Sequence, residues 1–476
     1  MNRKLPFLFL TSFIIIHSSH SQSGSIGIGT TTPNNSAILD LQSTSKGFLM
    51  PRLSTAQRKA IVSPAQGLLV FDTDKNCLYI FDGNVWQSIS IAGGYNIPFT
   101  EREATGGAEG DLFGHSVSIS GNYAVVGAPN DNNYQGSAYI FFKQGGNWAQ
   151  QAKLTASDGM PSDKFGFSVA ISGDFAVVGA PYDDQIVLPL GNSEDRGAIY
   201  VFKRTGTVWT QLVKLIADDG ATSNYLGTSV SISGNYILTG ALNGDNGSSL
   251  DQGAAYIFFY NGSSWSQQSK LVASNGAHFD QFGRSVCING NYAIVGAPFH
   301  DFKGAAYVYF RFGTIWVFDQ ALPADHGIPT DVEYGSSVAL YDTIAVVGAQ
   351  SYDLTGASSA GMSFMYKLNG TVWNAVTGLS AANLQGGDTF GSSAAIFGNY
   401  AIVGAQGADV GSFENQGSAF LFKLNVSAPF LDRKIEVPGN GQIKRFGKSV
   451  AIDGFNIIVG APNDEGKGKV FFLNIE

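Results

Sequence analysis

Short apolar runs that alternate with polar residues and stop at glycine dominate this chain. The segment 165–217 shows the pattern in full, with apolar runs of four to nine residues and Gly173-Asp174 between the first two. Runs of this length, bounded by glycine-containing turns, are typical of antiparallel strands. The pattern predicts four strands, at Ser168–Ile171, Phe175–Val178, Ile199–Lys203 and Val208–Ile216.

The same pattern occurs seven times. An aromatic residue or leucine followed by glycine opens each repeat, a serine follows three residues later, and a Gly-Ala pair ends the second strand. Four strands per unit at a nearly constant period are the signature of a β-propeller. We therefore expect an all-β fold whose main part is a seven-bladed β-propeller of four-stranded blades. The openings lie 52 to 61 residues apart, at Phe113, Phe165, Leu226, Phe282, Tyr334, Phe390 and Phe446.

The two ends of the repeat region are incomplete in complementary ways. The seventh repeat stops at Glu476, after its third strand, whereas Tyr95–Ala104 stands where a fourth strand belongs, with no first three strands before it. An N-terminal strand that completes the last blade would remove two exposed sheet edges. We therefore predict that Tyr95–Ala104 closes the ring.

Three segments are predicted along the chain. Residues 1–21 have the basic start, apolar run and small-residue cleavage site of a signal peptide, and no later stretch is long enough for a membrane span. Residues 22–94 are predicted to form a small, mainly β module and linker, with strands at Gly67–Asp72 and Leu78–Asp82 and a helix at Thr55–Ile61 capped by Ser54. Residues 95–476 are assigned to the propeller.

Composition narrows the range of partners. The chain of 476 residues has a net charge of −9, which argues against nucleic acid and anionic membranes. Its 44% hydrophobic residues are enough for a packed core. With only two cysteines, stability is expected to come from the core and from ring closure.

Three sets of equivalent positions in the repeats, called columns here, are interpreted as structural. A tryptophan opens the fourth strand in five repeats, at one register, which favours packing between blades over carbohydrate stacking. Seven serines in the innermost strand favour hydroxyls that cap the backbone over nucleophiles. A carboxylate two residues before an opening is expected to accept backbone N–H bonds in the turn between blades. It occurs at Asp111, Asp163, Asp280 and Asp388.

The repeats resemble those of FG-GAP repeat proteins, which include the integrin α-subunit propeller and many secreted bacterial proteins. The match rests on Phe165-Gly166 and Gly179-Ala180-Pro181 and their counterparts. The resemblance implies a seven-bladed ring that binds other macromolecules, commonly in adhesion. Pieces of the N-terminal segment, GIGTTTP, KGFLMPRLS and GLLVFDTD, resemble a tail-fibre-like module of exported bacterial surface proteins.

The calcium loop of this family is not expected here. In calcium-binding repeats an Asp-rich loop joins the first two strands, and calcium needs six to eight oxygen ligands. The corresponding connections in this chain, such as Gly121-Asn122, have two residues. We therefore predict neither a metal site nor a cofactor.

The longer loops between the second and third strands share one side of the ring and are the candidate binding face. Their acidic residues are expected to receive a basic partner, to bind calcium in an irregular way or to be simply solvated. The candidate ligand-binding residues are Asp131, Asp183, Asp184, Glu194, Asp195, Asp245, Asp251, His300, Asp301 and Asp409.

The sequence motifs of known catalytic sites are incomplete or absent in this chain. Gly447-Lys448-Ser449 resembles the end of a phosphate-binding loop, but Gln442 stands where that loop needs glycine. Lys448 also belongs to a repeat column that holds His115, Phe167 and Arg284 in other repeats. No His-Glu-x-x-His or Gly-x-Ser-x-Gly is present, so no catalytic residue is assigned and the chain is not predicted to be an enzyme.

The function predicted from the sequence is that of an exported recognition or adhesion protein, secreted or at the cell surface. It would bind an extracellular protein or polysaccharide through propeller loops, and the N-terminal module would allow self-association. Two alternatives remain open. One is a secreted carbohydrate-active enzyme that uses loop carboxylates, and the other is a structural component of an extracellular assembly.

Overall fold

The chain divides into two compact units, Met1–Ala92 and Gly93–Glu476. The computed structural model describes residues 26–32, 37–74, 77–81, 83, 86–88, 99–184, 195–244, 251–322, 331–424, 429–437 and 443–475. The predicted signal segment 1–21, the linker at Ala92–Gly94 and residues 95–98 lie outside these ranges.

The first unit is small and mainly β, as predicted. Its helix, Thr55–Lys59, has Ser54 as N-cap in a reciprocal capping box with Gln57, and it ends two residues before the predicted Ile61. Strands Ile26–Ile28 and Leu39–Leu41 form a parallel pair. A second sheet contains, in order, Arg52–Leu53, Leu69–Asp72, Cys77–Phe81 and Trp86–Ser88.

A buried ion pair joins the helix of this unit to its sheet. Arg58 Nε lies 2.8 Å from Asp72 Oδ2, with both side chains almost fully buried. The guanidinium of Arg58 also lies over the ring of Tyr79, 3.7 Å from its centroid. Thr55 donates to the same carboxylate. The Asp72 carboxylate thus accepts from two side chains, which offsets the cost of burying its charge.

The second unit consists of seven four-stranded antiparallel sheets, the blades, numbered here along the chain. Two-residue turns join the first two strands of every blade, as predicted. Blade 1 contains Ser116–Ser120, Tyr123–Ala128, Ser137–Gln144 and Asn147–Leu154, and blade 2 contains Ser168–Ser172, Phe175–Ala180, Ala198–Thr205 and Val208–Leu215. Blade 3 contains Leu226–Ser233, Tyr236–Ala241, Ala254–Tyr260 and Trp265–Leu271, and blade 4 contains Ser285–Asn289, Tyr292–Ala297, Ala305–Phe312 and Ile315–Leu322. Blade 5 contains Tyr334–Tyr341, Ile344–Ala349, Met362–Asn369 and Val372–Leu379. Blade 6 contains Phe390–Phe397, Tyr400–Ala405, Ser418–Lys423 and Phe430–Ile435.

Blade 7 is built from both ends of the repeat region. Its first three strands are Ser449–Asp453, Asn456–Ala461 and Lys469–Asn474. Its fourth strand is Phe99–Arg102, which pairs antiparallel with Lys469–Asn474 in the register Phe99 to Leu473. The predicted pairing of the N-terminal strand with the last blade is thus confirmed for the described part of Tyr95–Ala104.

Contacts also join blade 7 to blade 1. The ring of Trp148 stacks on that of Phe472, with centroids 4.5 Å apart and planes 13° apart. Arg102 Nε donates to the carbonyl oxygen of Trp148 at 2.7 Å. Residues of both blades, among them Phe113 and Val470, share one hydrophobic cluster. The first and last blades therefore pack together through an apolar core and polar bonds.

The loops between second and third strands contain short turns of helical hydrogen bonding, at Asp131–Tyr134, His300–Phe302 and Asp464–Gly466. The first strands of all seven blades line a central channel of about 370 Å³. Antiparallel order places the second-to-third-strand loops and the blade-to-blade connections on one side of the propeller, called here the variable face. The two-residue turns lie on the opposite side.

Candidate functional site

The serine column fastens each blade to the next. In every blade the Oγ donates to the carbonyl oxygen of the opening glycine of the following blade, at 2.7 to 2.9 Å. The Gly-Ala glycine lies beside the same carbonyl, where a Cβ at Gly127 would clash with the oxygen of Gly166. The prediction of a backbone-capping hydroxyl is confirmed, and a nucleophilic role is not supported. The serines are Ser116, Ser168, Ser229, Ser285, Ser337, Ser393 and Ser449.

The tryptophan column packs between blades, as predicted. All five rings are buried. Trp265, for example, meets Phe175 of the preceding blade edge-to-face, with centroids 5.5 Å apart. Rings buried in this way offer no exposed surface for stacking on a sugar. The residues are Trp148, Trp209, Trp265, Trp316 and Trp373.

The carboxylates before the openings hold the turns between blades, as predicted. Each accepts a backbone N–H from the residue three positions earlier, at 2.6 to 2.8 Å, and each is buried. Burial raises the pKa of Asp163 to about 6, despite the hydrogen bond from the Met160 amide. Their role is structural. They are Asp111, Asp163, Asp280 and Asp388.

Two of the predicted ligand-binding carboxylates lie inside the blades. Asp131 accepts from the Tyr139 hydroxyl at 2.7 Å and lies 2.7 Å from Lys153 Nζ. Asp183, only 1% exposed, accepts from the Tyr200 hydroxyl at 2.5 Å, and Lys214 Nζ lies 2.8 Å from it. These partners come from the third and fourth strands of the same blade. Both carboxylates are therefore already paired within their own blades.

The surroundings shift the two pKa values in opposite directions. Burial alone would raise the pKa of Asp131, but its bonds to Lys153 and Tyr139 hold it below the ordinary value. Burial raises the pKa of Asp183, and the bonds to Lys214 and Tyr200 only partly offset it. Both carboxylates belong to internal networks that stabilise their blades.

His300 occupies the same place in blade 4. Its Nδ1 lies 2.7 Å from Asp280 Oδ2 and its Nε2 lies 3.1 Å from Asn275 Nδ2. The ring is buried, and the Asp301 side chain, 3.5 Å away, is 81% exposed. A buried ring with partners on both nitrogens is a structural histidine here, so Asp301 is the exposed member of the pair.

The remaining predicted site residues do not form one cluster. Asp184 and Asp409 are exposed and accept backbone N–H bonds from Asp195 and Asn415, both at 2.9 Å. Asp195 and Asp251 are half-buried and have positive φ angles of 54° and 53°. Glu194 and Asp245 lie outside the described residues. The acidic residues thus mostly shape their own loops.

Sequence reasoning missed a site at the centre of the variable face. The residue that follows each opening glycine lines a cavity of about 230 Å³, where the channel opens on this face. This ring of seven residues is called here the channel mouth. It differs from blade to blade, unlike the columns on either side of it. Its residues are His115, Phe167, Thr228, Arg284, Ser336, Ser392 and Lys448.

The channel mouth carries positive charge. Lys448 is half-buried, and desolvation and the nearby Arg284 and Arg445 lower its pKa to about 8. Burial, and then Lys448, Lys164 and Arg284, lower the pKa of His115 to about 3, so the ring is neutral. Within the described ranges, no ion pair involves Lys164, Arg284, Arg445 or Lys448.

Aromatic rings lie side by side at one edge of the channel mouth. The rings of His115 and Phe167 are 5.0 Å apart, those of Phe167 and Tyr182 6.4 Å, and those of Tyr182 and Tyr225 5.2 Å. Lys164 Nζ lies 4.6 Å from the centroid of Tyr182. The mouth thus combines cations with partly exposed rings, a combination suited to binding.

Among the described residues, no group of three His, Cys, Asp or Glu side chains is placed to hold a metal ion. None of the helices in the described ranges is long and apolar enough to cross a bilayer.

The fold and its repeating contacts define a propeller built from sequence repeats. An FG-GAP repeat model matches residues 103–141, 148–202, 209–258, 265–309 and 373–422, together half of the chain, and the protein belongs to the FG-GAP repeat family. A model described as a phage tail like trimerisation region matches residues 27–104. A comparison with curated proteins found no match. Both resemblances expected from the sequence are therefore confirmed.

Proposed function

We propose that the protein is an exported, non-enzymatic recognition protein that binds an extracellular protein or polysaccharide through the variable face. The supporting observation is the contrast between the repeat columns and the channel mouth. The serines, tryptophans and buried carboxylates recur because they hold the blades together. The seven mouth positions hold six different residue types on the same rigid scaffold, and only serine occurs twice. Varied residues on a fixed framework are how such proteins achieve specificity.

Several features favour binding over catalysis. The buried carboxylates that could act as a glycosidase pair, such as Asp183, are bonded to lysine and tyrosine side chains within their blades. The channel mouth has cations but no carboxylate among its seven residues. Export is proposed from the sequence of residues 1–21 alone.

The test is binding of the full chain to glycan and extracellular-protein arrays, with calcium and with a chelator. A saturable ligand that is bound equally in both conditions, and is released without chemical change, supports the proposal. Turnover of a bound glycan would contradict it. Binding lost on chelation would contradict the metal-free mechanism.

A second function, assembly, has its own support. The N-terminal unit matches a trimerisation region and leaves large apolar side chains exposed, including Ile28, Ile38 and Leu49 at 60%, 85% and 77%. Apolar surface of this kind is expected to be covered by another chain. We infer that three copies associate through this unit, which would present three propellers to one ligand surface.

Light scattering of the full chain tests the assembly. We expect a trimer that Ile38→Asp weakens, because the substitution would place a charge in an apolar contact. A control is Val208→Asp, at a 59% exposed position of the blade 2 outer strand. A monomeric full chain, or equal effects of both substitutions, would argue against assembly through the N-terminal unit.

A further inference from the structure

The channel mouth differs in charge from the rest of the molecule. The chain carries 37 acidic and 28 basic residues. Yet Arg284 and Lys448 lie in the mouth, and Lys164 and Arg445 stand directly before the openings of their repeats. The one carboxylate among those preceding residues, Glu333, accepts from Gln350 and Ser351 at 2.6 and 2.9 Å. Within the part of the chain that the structure describes, none of these four cations therefore has an ion-pair partner.

Like charges held close together without an ion-pair partner lower the stability of the fold, and of these cations Lys448 and Lys164 are half-buried whereas Arg284 and Arg445 are exposed. A charged side chain that loses contact with water is unfavourable unless an opposite charge or hydrogen bonds replace that contact. The pKa of Lys448 is lowered by burial and by the neighbouring cations Arg284 and Arg445. A bound anion would supply the missing charge, and an arginine and a lysine are the side chains that pair best with carboxylates.

The size and surroundings of the mouth restrict the anion. The cavity of about 230 Å³ continues into the channel, because Val117, Val169 and Val450 line both. Rings of Phe167, Tyr182 and Tyr225 lie beside the cations and offer apolar faces. Small-molecule sites typically combine such apolar walls with a few placed polar groups. A sugar ring that carries a carboxylate fits both features, whereas a peptide whose side chains are all carboxylates would use the cations alone.

We propose that the channel mouth binds the carboxylate of a uronic acid unit in an anionic polysaccharide. Arg284 and Lys448 hold the carboxylate, and the aromatic rings at the Phe167 edge contact the sugar ring. This inference rests on the proposed recognition function and names the ligand class of its central site. It differs from the basic partner expected from the acidic loops, because most of those carboxylates bond to their own blades and loops.

The experiment is isothermal titration calorimetry of the full chain with tri-galacturonate at neutral pH and low ionic strength. The uncharged methyl ester of the same trisaccharide and penta-glutamate are the comparison ligands. The variants are Lys448→Ser and Arg284→Ser, since serine occupies the same position in blades 5 and 6. Lys423→Ser, at the end of the third strand of blade 6, is the matched control.

We expect tri-galacturonate to bind once per chain, with affinity reduced about tenfold or more in each mouth variant and unchanged in Lys423→Ser. Equal binding of the methyl ester, preference for penta-glutamate, or unchanged affinity in both mouth variants would overturn the inference. If the chain does not bind tri-galacturonate but binds another array ligand, this inference is overturned and the proposed function is retained. A chain that binds no array ligand at all contradicts both.

Discussion

Ser449 in the last blade donates a hydrogen bond of 2.9 Å to the carbonyl oxygen of Gly114 in the first blade, 335 positions away along the chain. The six other serines make the same bond to the next repeat, 50 to 59 positions away. The contact between the two ends of the repeat region is thus chemically the same as every contact between consecutive blades.

This equivalence leads to a first prediction. Ser449→Ala and Ser285→Ala should each lower the free energy of unfolding by about 1 kcal/mol, because each leaves a partly buried carbonyl without its donor. Urea denaturation of the full chain measures both values. If the joint between blades 7 and 1 were weaker than the others, Ser449→Ala would have little effect while Ser285→Ala remained destabilising.

The strand Phe99–Arg102 provides a second prediction. A chain that begins at residue 105 loses the outer strand of blade 7, the edge-to-face contact of Phe99 with Phe471 at 5.2 Å and the bond from Arg102 to Trp148. We expect a lower melting temperature and more aggregation than for a chain that begins at residue 95, since the edge of Lys469–Asn474 becomes exposed. Equal melting of the two chains would show that the strand is dispensable.

Lys448 provides a third prediction, on pH. Burial and the nearby Arg284 and Arg445 lower the pKa of Lys448 in the folded protein from 10.5 to about 8. His115 in the same mouth is neutral and adds no charge. Between these two pKa values of Lys448 the unfolded chain keeps the proton on Lys448 and the folded chain does not. The destabilisation caused by Lys448 therefore becomes smaller as the pH rises. Below about 8 both states are charged, and the folded state keeps the full penalty.

The matching measurement is urea denaturation of the wild type and Lys448→Ser across this pH range. The substitution should stabilise the protein at neutral pH, and the difference between the two proteins should shrink as pH rises toward 10.5. Lys423→Ser should not alter the pH dependence. A destabilised Lys448→Ser at neutral pH would mean that the ammonium has a partner.

A fourth prediction separates structural from surface carboxylates. Asp183→Ala should lower the free energy of unfolding by about 1.5 kcal/mol, because Lys214 and Tyr200 lose one buried partner but keep Asp158. Asp184→Ala, at the next position but exposed, should change it by no more than about 0.5 kcal/mol. Thermal and urea denaturation compare the two. Similar small effects would indicate that the buried network contributes little.

The repeated features of the propeller could be predicted from the sequence. Turns, strand bounds and the pairing of the N-terminal strand follow from patterns that recur seven times, so each copy supports the others. The serine column was correctly interpreted as capping, but the sequence does not tell that the carbonyl belongs to the following blade. That partner depends on how closely consecutive blades approach at the Gly-Ala glycine, which only packing reveals.

The surroundings of the candidate site residues could not be predicted from the sequence, for a physical reason. Asp131 and Asp183 were placed on the exposed face because loop carboxylates are usually solvated, yet Tyr139 and Tyr200 on the third strand reach them inside the blade. A tyrosine at a fixed place in the third strand was the available signal. The channel mouth was missed because its signal is variation: the column of Lys448, Arg284 and Phe167 changes while its neighbours do not.

The origin of the fourth strand of blade 7 has a mechanical consequence. The N-terminal unit is covalently continuous with Phe99–Arg102, so tension between an anchored N-terminal unit and a ligand held at the variable face enters the propeller at this strand. The other six blades are each built from consecutive strands of the chain, but in blade 7 the force acts on strand pairing, the Phe99–Phe471 contact and the bond from Arg102 to Trp148. The first part of the propeller to bear such a force would therefore be one strand of four residues.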